Sequence, residues 1–298
     1  MASVQDLRRR VRSISNTRKI TKAMELMAAT RLRRAEARIE AMRPFADRML
    51  ELMAGVARAA SSVRNLPLLQ ERDVRTVAIV AVTGDRGLAG AFNSQVLRES
   101  FRLERELRGD GVAVRFGVVG KKGASTLRFR RYETFGAWTG FTDRPSYADA
   151  QAVAHCLTEK YSEGEIDRAV VVYNAYVSPL TQKVTAQDVL PISEELLQQV
   201  EGGDEAEDRT LRGDFIYEPE PEEILARLLP VYLETVLYRA LLESAASELG
   251  ARMTAMRNAS KNAGELIDTL TLAMNRARQA EITQEILEVV GGAEALTA

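Results

Sequence analysis

Apolar residues recur at alternating spacings of three and four positions near both ends of this 298-residue chain. Thirteen of the sixteen residues in the N-terminal series are apolar, and eleven of the twelve in the C-terminal series. This heptad spacing predicts two long helices, and their places at opposite ends of the chain favour antiparallel pairing as a coiled coil. The first series is Val4, Leu7, Val11, Ile14, Arg18, Thr21, Glu25, Ala28, Leu32, Ala35, Ile39, Met42, Ala46, Met49, Met53 and Val56. The second is Leu242, Ala245, Leu249, Arg252, Met256, Ala259, Ala263, Leu266, Leu270, Ala273, Ala277 and Ala280.

The bounds of these helices follow from their flanking residues. We expect the first helix to run from about residue 3 to residue 61, with a bend and not an end at Pro44. We expect the last to begin between Pro221 and Glu223, where proline and acidic residues suit a first turn. It is predicted to run to Val290 and to end at the following glycine pair.

Between the helices, short apolar runs alternate with helical patterns, which favours a mostly parallel sheet covered on both faces. The predicted strands are 76–82, 112–119, 168–176 and 181–190, a short edge strand is predicted at 215–217, and helices are predicted at 91–107 and 147–161. The fold class is therefore a central Rossmann-like α/β domain with a long antiparallel two-helix coiled coil. The predicted parts are 1–61, 74–217 and 221–298, with an acidic surface loop at about 201–214.

Charge is balanced overall but unevenly distributed. The net charge is −1, whereas residues 1–43 hold twelve Lys or Arg against four Asp or Glu. A basic helix of this kind can meet nucleic acid, a membrane surface or an acidic protein. Because the first 44 residues contain no aromatic side chain for base stacking, an acidic protein partner is favoured. A nucleic-acid-binding coiled-coil protein stays open as the alternative.

The glycine-containing segment 82–93 follows a predicted strand, and so could present N–H groups to a phosphate. It lacks the Gly-Lys-Ser/Thr ending of a P-loop, and Gly84, Gly87 and Gly90 do not have the dinucleotide spacing. A structural turn is therefore favoured over a nucleotide-dependent enzyme, which is a third hypothesis.

No other pattern points to catalysis or to a metal. Cys156 is the only cysteine and His155 the only histidine, and neither belongs to a recognisable metal-ligand spacing. Neighbouring positions on a helix face different directions, which disfavours a catalytic dyad. No apolar run approaches the ~18 residues that span a bilayer. We therefore expect a soluble chain without a cofactor or metal, attached to a membrane only through partners.

Four blocks in one order resemble the gamma subunit of the F-type ATP synthase. They are SNTRKITKAMELMAA at 15–29, GDRGLAG at 84–90 with Phe92 and Asn93, SAASELGARM at 244–253, and ARQAEITQEI at 277–286. The resemblance implies a rotor of the central stalk that transmits torque between the membrane c-ring and the ring of alpha and beta subunits. It also implies that the chain has no active site of its own.

The same resemblance implies partners and contact residues. The partners would be the alpha, beta and epsilon subunits and the c-ring, at the cytoplasmic face of the cell membrane, without direct bilayer insertion or nucleic acid. The residues that match the family's contacts to beta subunits are Arg18, Lys19, Lys22, Met24, Arg278, Gln279 and Thr283. The apolar tip implied to turn in a bearing includes Ile286, Val289, Val290 and Leu296.

Overall fold

A computed structural model describes residues 3–60, 66–193 and 218–297. Its elements in chain order are α1 Val4–Ala59, β1 Thr76–Val82, α2 Phe92–Gly109, β2 Ala113–Val119, α3 Lys121–Phe129, β3 Thr134–Trp138, α4 Tyr147–Ser162, β4 Arg168–Tyr176, β5 Gln182–Leu190 and α5 Pro221–Thr297. The predicted acidic loop at 201–214 and edge strand at 215–217 lie outside the described residues. The chain divides into two compact units, Met1–Ala29 with Arg252–Ala298, and Thr30–Ala251.

The larger unit, Thr30–Ala251, contains a five-stranded sheet in the order β3-β2-β1-β4-β5. The pairs β1–β2, β1–β4 and β2–β3 are parallel, and β5 closes one edge antiparallel to β4. Such a mostly parallel sheet needs helices on both faces, because parallel strands are buried on both sides. The predicted Rossmann-like architecture is confirmed.

Alternate residues of β1 supply two separate cores. Val77, Ile79 and Ala81 pack with residues of α2 and α3, whereas Val80 and Val82 pack on the other face. That second face is covered by α4 and by the parts of α1 and α5 in this unit, through residues such as Met53, Leu157 and Leu233. Both faces of one strand are thus almost inaccessible to solvent, which explains why its sequence is a continuous apolar run without polar alternation.

The smaller unit contains the N-terminal part of α1 and the C-terminal part of α5. Arg257 lies against Glu25, with its Nε 3.2 Å from the Glu25 Oε1, and Gly264 faces Arg18. As the residue number falls along α1 it rises along α5, so the two helices are antiparallel, as predicted. The polar pair of Glu25 and Arg257 within this seam helps to fix the register, because sliding would bury charge without a partner.

The predicted seam of α5 is only half right beyond Met256. Ala259, Ala263, Leu270 and Ala277 are half-buried as expected, but Leu266 is 47% exposed, and Ala273 and Ala280 are exposed. Ser260 is buried beside Ala259, and the seam positions in place of Leu266 and Ala273 are Ile267 and Met274. Apolar residues stand side by side at 266–267 and at 273–274, so the pattern alone could not choose between two adjacent rows. The row chosen contains the larger Met274 in place of Ala273, and thus buries more apolar surface.

Several predicted bounds also need correction. The helix α1 continues through Pro44 as expected, but α5 passes through Gly291 and Gly292 and ends at Thr297. Neither of these glycines has the positive φ of a helix-ending residue, and a glycine in a helix costs only about 1 kcal/mol. The helix α3 and the strand β3 had no counterpart in the sequence prediction. No described helix is long and apolar enough to cross a membrane.

Candidate functional site

The N-terminal contact residues predicted from the sequence lie on α1 in the smaller unit. Arg18 and Lys19 are exposed, and Met24 is half-buried. The Lys22 ammonium lies 3.0 Å from the carboxylate of Glu25, whose side chain is almost fully buried. Hydrogen bonding from Lys22, opposed by burial and assisted by Arg257, lowers the pKa of Glu25. The buried carboxylate therefore keeps its charge and holds one of the candidate cations in place.

Apolar side chains accompany these cations on the exposed side of α1. Ile20 is 61% exposed and Met27 is 53% exposed, although the sequence around them repeats like a buried helix face. Met24 lies between them and is half-buried, so the apolar row of Ile20, Met24 and Met27 is directed mainly towards solvent. A surface that joins cations with large apolar side chains is suited to a protein partner, since aromatic, Met and Arg side chains are enriched at such interfaces.

The C-terminal contact residues form a second, separate group. Arg278, Gln279 and Thr283 are all exposed, and the Thr283 hydroxyl donates a hydrogen bond to the Gln279 carbonyl oxygen at 2.9 Å. The residue of α5 opposite Arg18 is Gly264. Fourteen residues separate Gly264 from Arg278, which is roughly 20 Å of helix at ~1.5 Å per residue. The structure does not bring the two predicted groups together.

The predicted bearing tip is exposed along its described length. Ile286, Val289 and Val290 are each more than half exposed, as is Leu287. Leu296 lies in α5, but its side chain is outside the described part of the structure. Every side chain described from 278 to 293 is exposed, so this end of α5 presents apolar residues with no cover from its own chain. Large exposed apolar surfaces mark interaction sites.

The glycine turn after β1 is held by its own carboxylate. Asp85 accepts hydrogen bonds from the backbone N–H groups of Lys121 at 3.0 Å, Gly140 at 2.8 Å and Thr142 at 3.2 Å. Burial alone raises the pKa of Asp85, but these three N–H groups lower it below its usual value. The carboxylate takes up the Lys121 N–H group at the beginning of α3, which is the kind of donor that a phosphate would need. The arrangement supports the structural interpretation of the turn.

A glutamate missed by the sequence reasoning lies behind this turn. Glu248 of α5 is 2% exposed, and a Cβ atom on Gly84 would lie 2.7 Å from its Oε2. Only glycine therefore fits at position 84 without moving the glutamate. The adjoining cavity, lined by Thr83, Thr142 and Ser244 among others, has room for about one water molecule. The available sequence signal was the presence of Glu243 and Glu248 in the otherwise uncharged segment 240–250.

Other titratable residues do not form a recognisable reaction centre. His155 is exposed, and burial raises the pKa of the neighbouring Cys156 thiol, which disfavours its thiolate. Across residues 3–60, 66–193 and 218–297, no group of three or more His, Cys, Asp or Glu side chains is placed to hold a metal ion. The geometry of the described chain thus directs attention to its exposed helix surfaces.

Comparison with known proteins shows which family this chain resembles. Residues 3–296 match the family described as ATP synthase. Proteins named ATP synthase gamma chain from Rubrobacter xylanophilus and Desulforamulus reducens are 46% and 43% identical. The first comparison covers 100% of both chains, and the second covers 99% of this chain and 100% of the relative.

Solved structures give the same result. A chain of the Tetrahymena thermophila mitochondrial ATP synthase, from a structure of its central stalk and c-ring, aligns with a TM-score of 0.58 and 26% identity, covering 81% of this chain and 99% of that one. A chain of the Euglena gracilis mitochondrial ATP synthase aligns with a TM-score of 0.67 over 98% of this chain and 94% of that chain. At 20% identity the second likeness concerns the fold. The chain belongs to the ATP synthase gamma-chain family.

Proposed function

We propose that this chain is the central-stalk rotor subunit of an F-type ATP synthase. As a subunit, it transmits torque between a membrane c-ring and a catalytic ring of alpha and beta subunits, coupling proton flow to ATP synthesis. The observation that carries the proposal is the exposed apolar end of α5, from 278 to 293, extending a helix pair that is otherwise closed by its own seam. Such an end is suited to a surrounding partner that covers it.

On this proposal the chain has no active site of its own. Nucleotide chemistry belongs to the alpha and beta subunits, and the chain supplies a stiff, asymmetric surface. Residues 1–61 and 221–298 form the shaft, and residues 74–217 form the domain that joins epsilon and the c-ring. The chain is then a peripheral component at the cytoplasmic face of the cell membrane, held there through the assembled complex.

The proposed contacts with beta subunits are the two groups described above. Arg18, Lys19, Lys22 and Met24 form one, and Arg278, Gln279 and Thr283 form the other, roughly 20 Å away along α5. Their cations favour acidic surfaces on the partner. The tip residues Ile286, Val289, Val290 and Leu296 form the bearing.

Reconstitution tests the function directly. Purified chain is mixed with separately purified alpha and beta subunits, and ATP hydrolysis is measured for the mixture and for each component alone. We expect turnover to depend on the chain and the chain alone to hydrolyse no ATP. In vesicles carrying the complete complex, we expect ATP synthesis driven by a proton gradient to require the chain. Failure of the folded chain to join the ring would contradict the proposal.

Single substitutions test the contact residues. We expect Arg18→Ala or Arg278→Ala to slow turnover of the complex by about twofold to fivefold, because an exposed ion pair contributes ~0.2–1 kcal/mol. The matched control is Arg98→Ala, which removes an exposed cation from α2 in the larger unit. If the three variants have the same turnover, the assignment of these contact residues is wrong. The rotor function is then judged by the reconstitution experiment.

A further inference from the structure

One stretch of α5 in the larger unit is completely buried, and half of its residues are small. All ten residues from 241 to 250 are buried, and they include Ala246, Ser247 and Gly250. A Cβ atom on Gly250 would lie 2.9 Å from the backbone oxygen of Pro179, in the turn between β4 and β5. The backbone of α5 thus approaches the backbone of the β4–β5 hairpin more closely than any side chain at position 250 would allow.

The hairpin that receives α5 is itself well fixed. The backbone N–H groups of Ser178 and Thr181 donate to each other's carbonyl oxygens at 3.0 and 3.1 Å. The Gln182 side-chain amide donates to the carbonyl oxygens of Ser178 at 3.3 Å and Pro179 at 3.1 Å. The turn beneath Gly250 is therefore cross-braced and not a loose loop.

One helical turn earlier, α5 is hydrogen-bonded to the sheet. The Ser247 hydroxyl donates to the backbone carbonyl oxygen of Asn174 on β4 at 2.9 Å. The Asn174 side-chain amide donates in turn to the carbonyl oxygen of Phe92, at the beginning of α2, at 3.3 Å. Since Ser247 and Asn174 are both buried, water does not compete for these bonds. The series of bonds connects α5 through β4 to the opposite face of the sheet.

Two tyrosines connect the α/β domain with the long helices elsewhere. The Tyr147 hydroxyl donates to the carboxylate of Glu234 on α5 at 2.7 Å, and the Tyr176 hydroxyl donates to Glu36 on α1. Burial, with the nearby Glu234 carboxylate, raises the pKa of Tyr147 to about 12. Burial, with the nearby Glu36 carboxylate, raises the pKa of Tyr176. Both hydroxyls therefore keep their protons near neutral pH and remain donors.

We propose that Ser247 and Gly250 form a mechanical key with Asn174 and Pro179 that prevents α5 from turning about its axis against the α/β domain. Apolar packing alone permits small sliding of one packed element past another, whereas a buried hydrogen bond and a backbone-to-backbone contact fix one rotational position. The inference rests on the proposed rotor function, because only a torque on the helices gives such a key a task. The tyrosine contacts assist it as secondary links.

Single-molecule rotation of the assembled complex tests the key. A bead is attached to the α/β domain through an introduced Asp110→Cys, with Cys156→Ser as background, so that torque made by the catalytic ring reaches the bead through the key. The test variants are Gly250→Ala, which adds a methyl group against the Pro179 oxygen, and Ser247→Ala, which removes a hydrogen bond without adding atoms. The control is Gly109→Ala, at a helical glycine where a Cβ atom meets nothing within 4 Å.

In both test variants we expect a wider angular spread of the bead during pauses, a lower torque on it and less ATP synthesis for a given proton gradient. The control should match the unaltered complex. ATP hydrolysis without load should change little. The thermal midpoint of the chain should fall in both variants, because Gly250→Ala pushes the two backbones apart and Ser247→Ala removes a buried hydrogen bond, so the angular spread is the deciding measurement. A role confined to folding would lower the midpoint and leave the spread unchanged.

The outcomes separate the key from the function on which it rests. One outcome is that the unaltered complex rotates and makes ATP while Ser247→Ala and Gly250→Ala show the same angular spread of the bead and the same torque as the unaltered complex. In that case the proposed key is wrong and the rotor function stands. If Gly250→Ala fails to assemble, Ser247→Ala decides alone. If the unaltered chain neither joins the ring nor rotates in it, the proposed function fails, and the key with it.

Discussion

The two compact units of this chain use the same kinds of apolar residue in different ways. In the unit Thr30–Ala251, strands such as β1 are covered on both faces, and the core residues Ile79 and Leu157 are fully buried. In the other unit the helices share one narrow seam that includes Glu25 and Ser260, and every side chain of α5 described from 278 to 293 is exposed. The first unit contains the core needed to fold alone. The second has only a thin seam, and its helices depend on that seam because an isolated helix is only marginally stable in water.

The same leucine-to-alanine change at three positions gives the sharpest test of this contrast. We expect Leu157→Ala, in the core on α4, to lower the free energy of unfolding by about 2–5 kcal/mol. Leu7→Ala, in the helix seam, should lower it by about 1–2 kcal/mol, because water and neighbouring side chains can fill the space. Leu287→Ala, at the exposed end of α5, should change it by less than about 0.5 kcal/mol.

Two spectroscopic signals distinguish the units in this series. Trp138, the only tryptophan, packs edge-to-face on Phe135 at 6.2 Å between ring centres, so its fluorescence reports the α/β domain. Far-UV circular dichroism reports mainly the long helices. Leu157→Ala should shift both denaturant transitions, and Leu7→Ala only the circular dichroism. A shift of the fluorescence transition by Leu7→Ala would show that the two units unfold as one.

The contrast also explains which elements the sequence could predict. The bounds of β1 and β4 agree with prediction, because each is a continuous run of buried β-branched and small residues. By contrast α3 has only nine residues, and Gly120, which precedes it, has a φ of 94° and provides no side-chain cap. The edge strand β3 has five residues, none of them fully buried. Short elements with weak caps and partial burial leave little periodic signal.

The candidate site was predictable only where one helix contains it. The family resemblance singled out Arg18 and Arg278, and both are exposed. The partners proposed for them are other chains, and periodicity along this chain does not encode contacts with other chains. Contacts between distant residues were missed for a different reason. Ser247 and Asn174 are 73 positions apart, and Glu248 meets Gly84 from another element. Their proximity arises from the packing of α5 on the sheet, which a pattern along the chain does not specify.

A smaller effect is expected from the carboxylate in the glycine turn. Asp85→Asn removes the charge that accepts three backbone hydrogen bonds, so we expect a loss of about 1.5–3 kcal/mol at pH 7. Because the fold lowers the pKa of Asp85, its contribution is present above the unfolded pKa of ~3.9 and is lost as the pH falls through the lower, folded value. The fluorescence of Trp138 during urea unfolding at neutral and acidic pH measures both the loss of stability at pH 7 and its dependence on pH. If the unaltered chain and Asp85→Asn lose the same free energy of unfolding when the pH is lowered, Asp85 is not the group responsible for the pH dependence.

A smaller effect than that of Asp85→Asn should come from the charged pair in the helix seam. Glu25→Gln removes the ionic contacts with Lys22 at 3.0 Å and Arg257 at 3.2 Å. Since both cations are more than half exposed, the loss should be only about 0.2–1 kcal/mol, and salt should reduce the difference. Thermal unfolding followed by circular dichroism at low and high salt measures it, with Glu40→Gln, on an exposed position of α1 in the larger unit, as the control. A loss as large as that of Leu157→Ala would mean that the seam depends on Glu25 as a core depends on its leucines, and the contrast between the units would no longer hold.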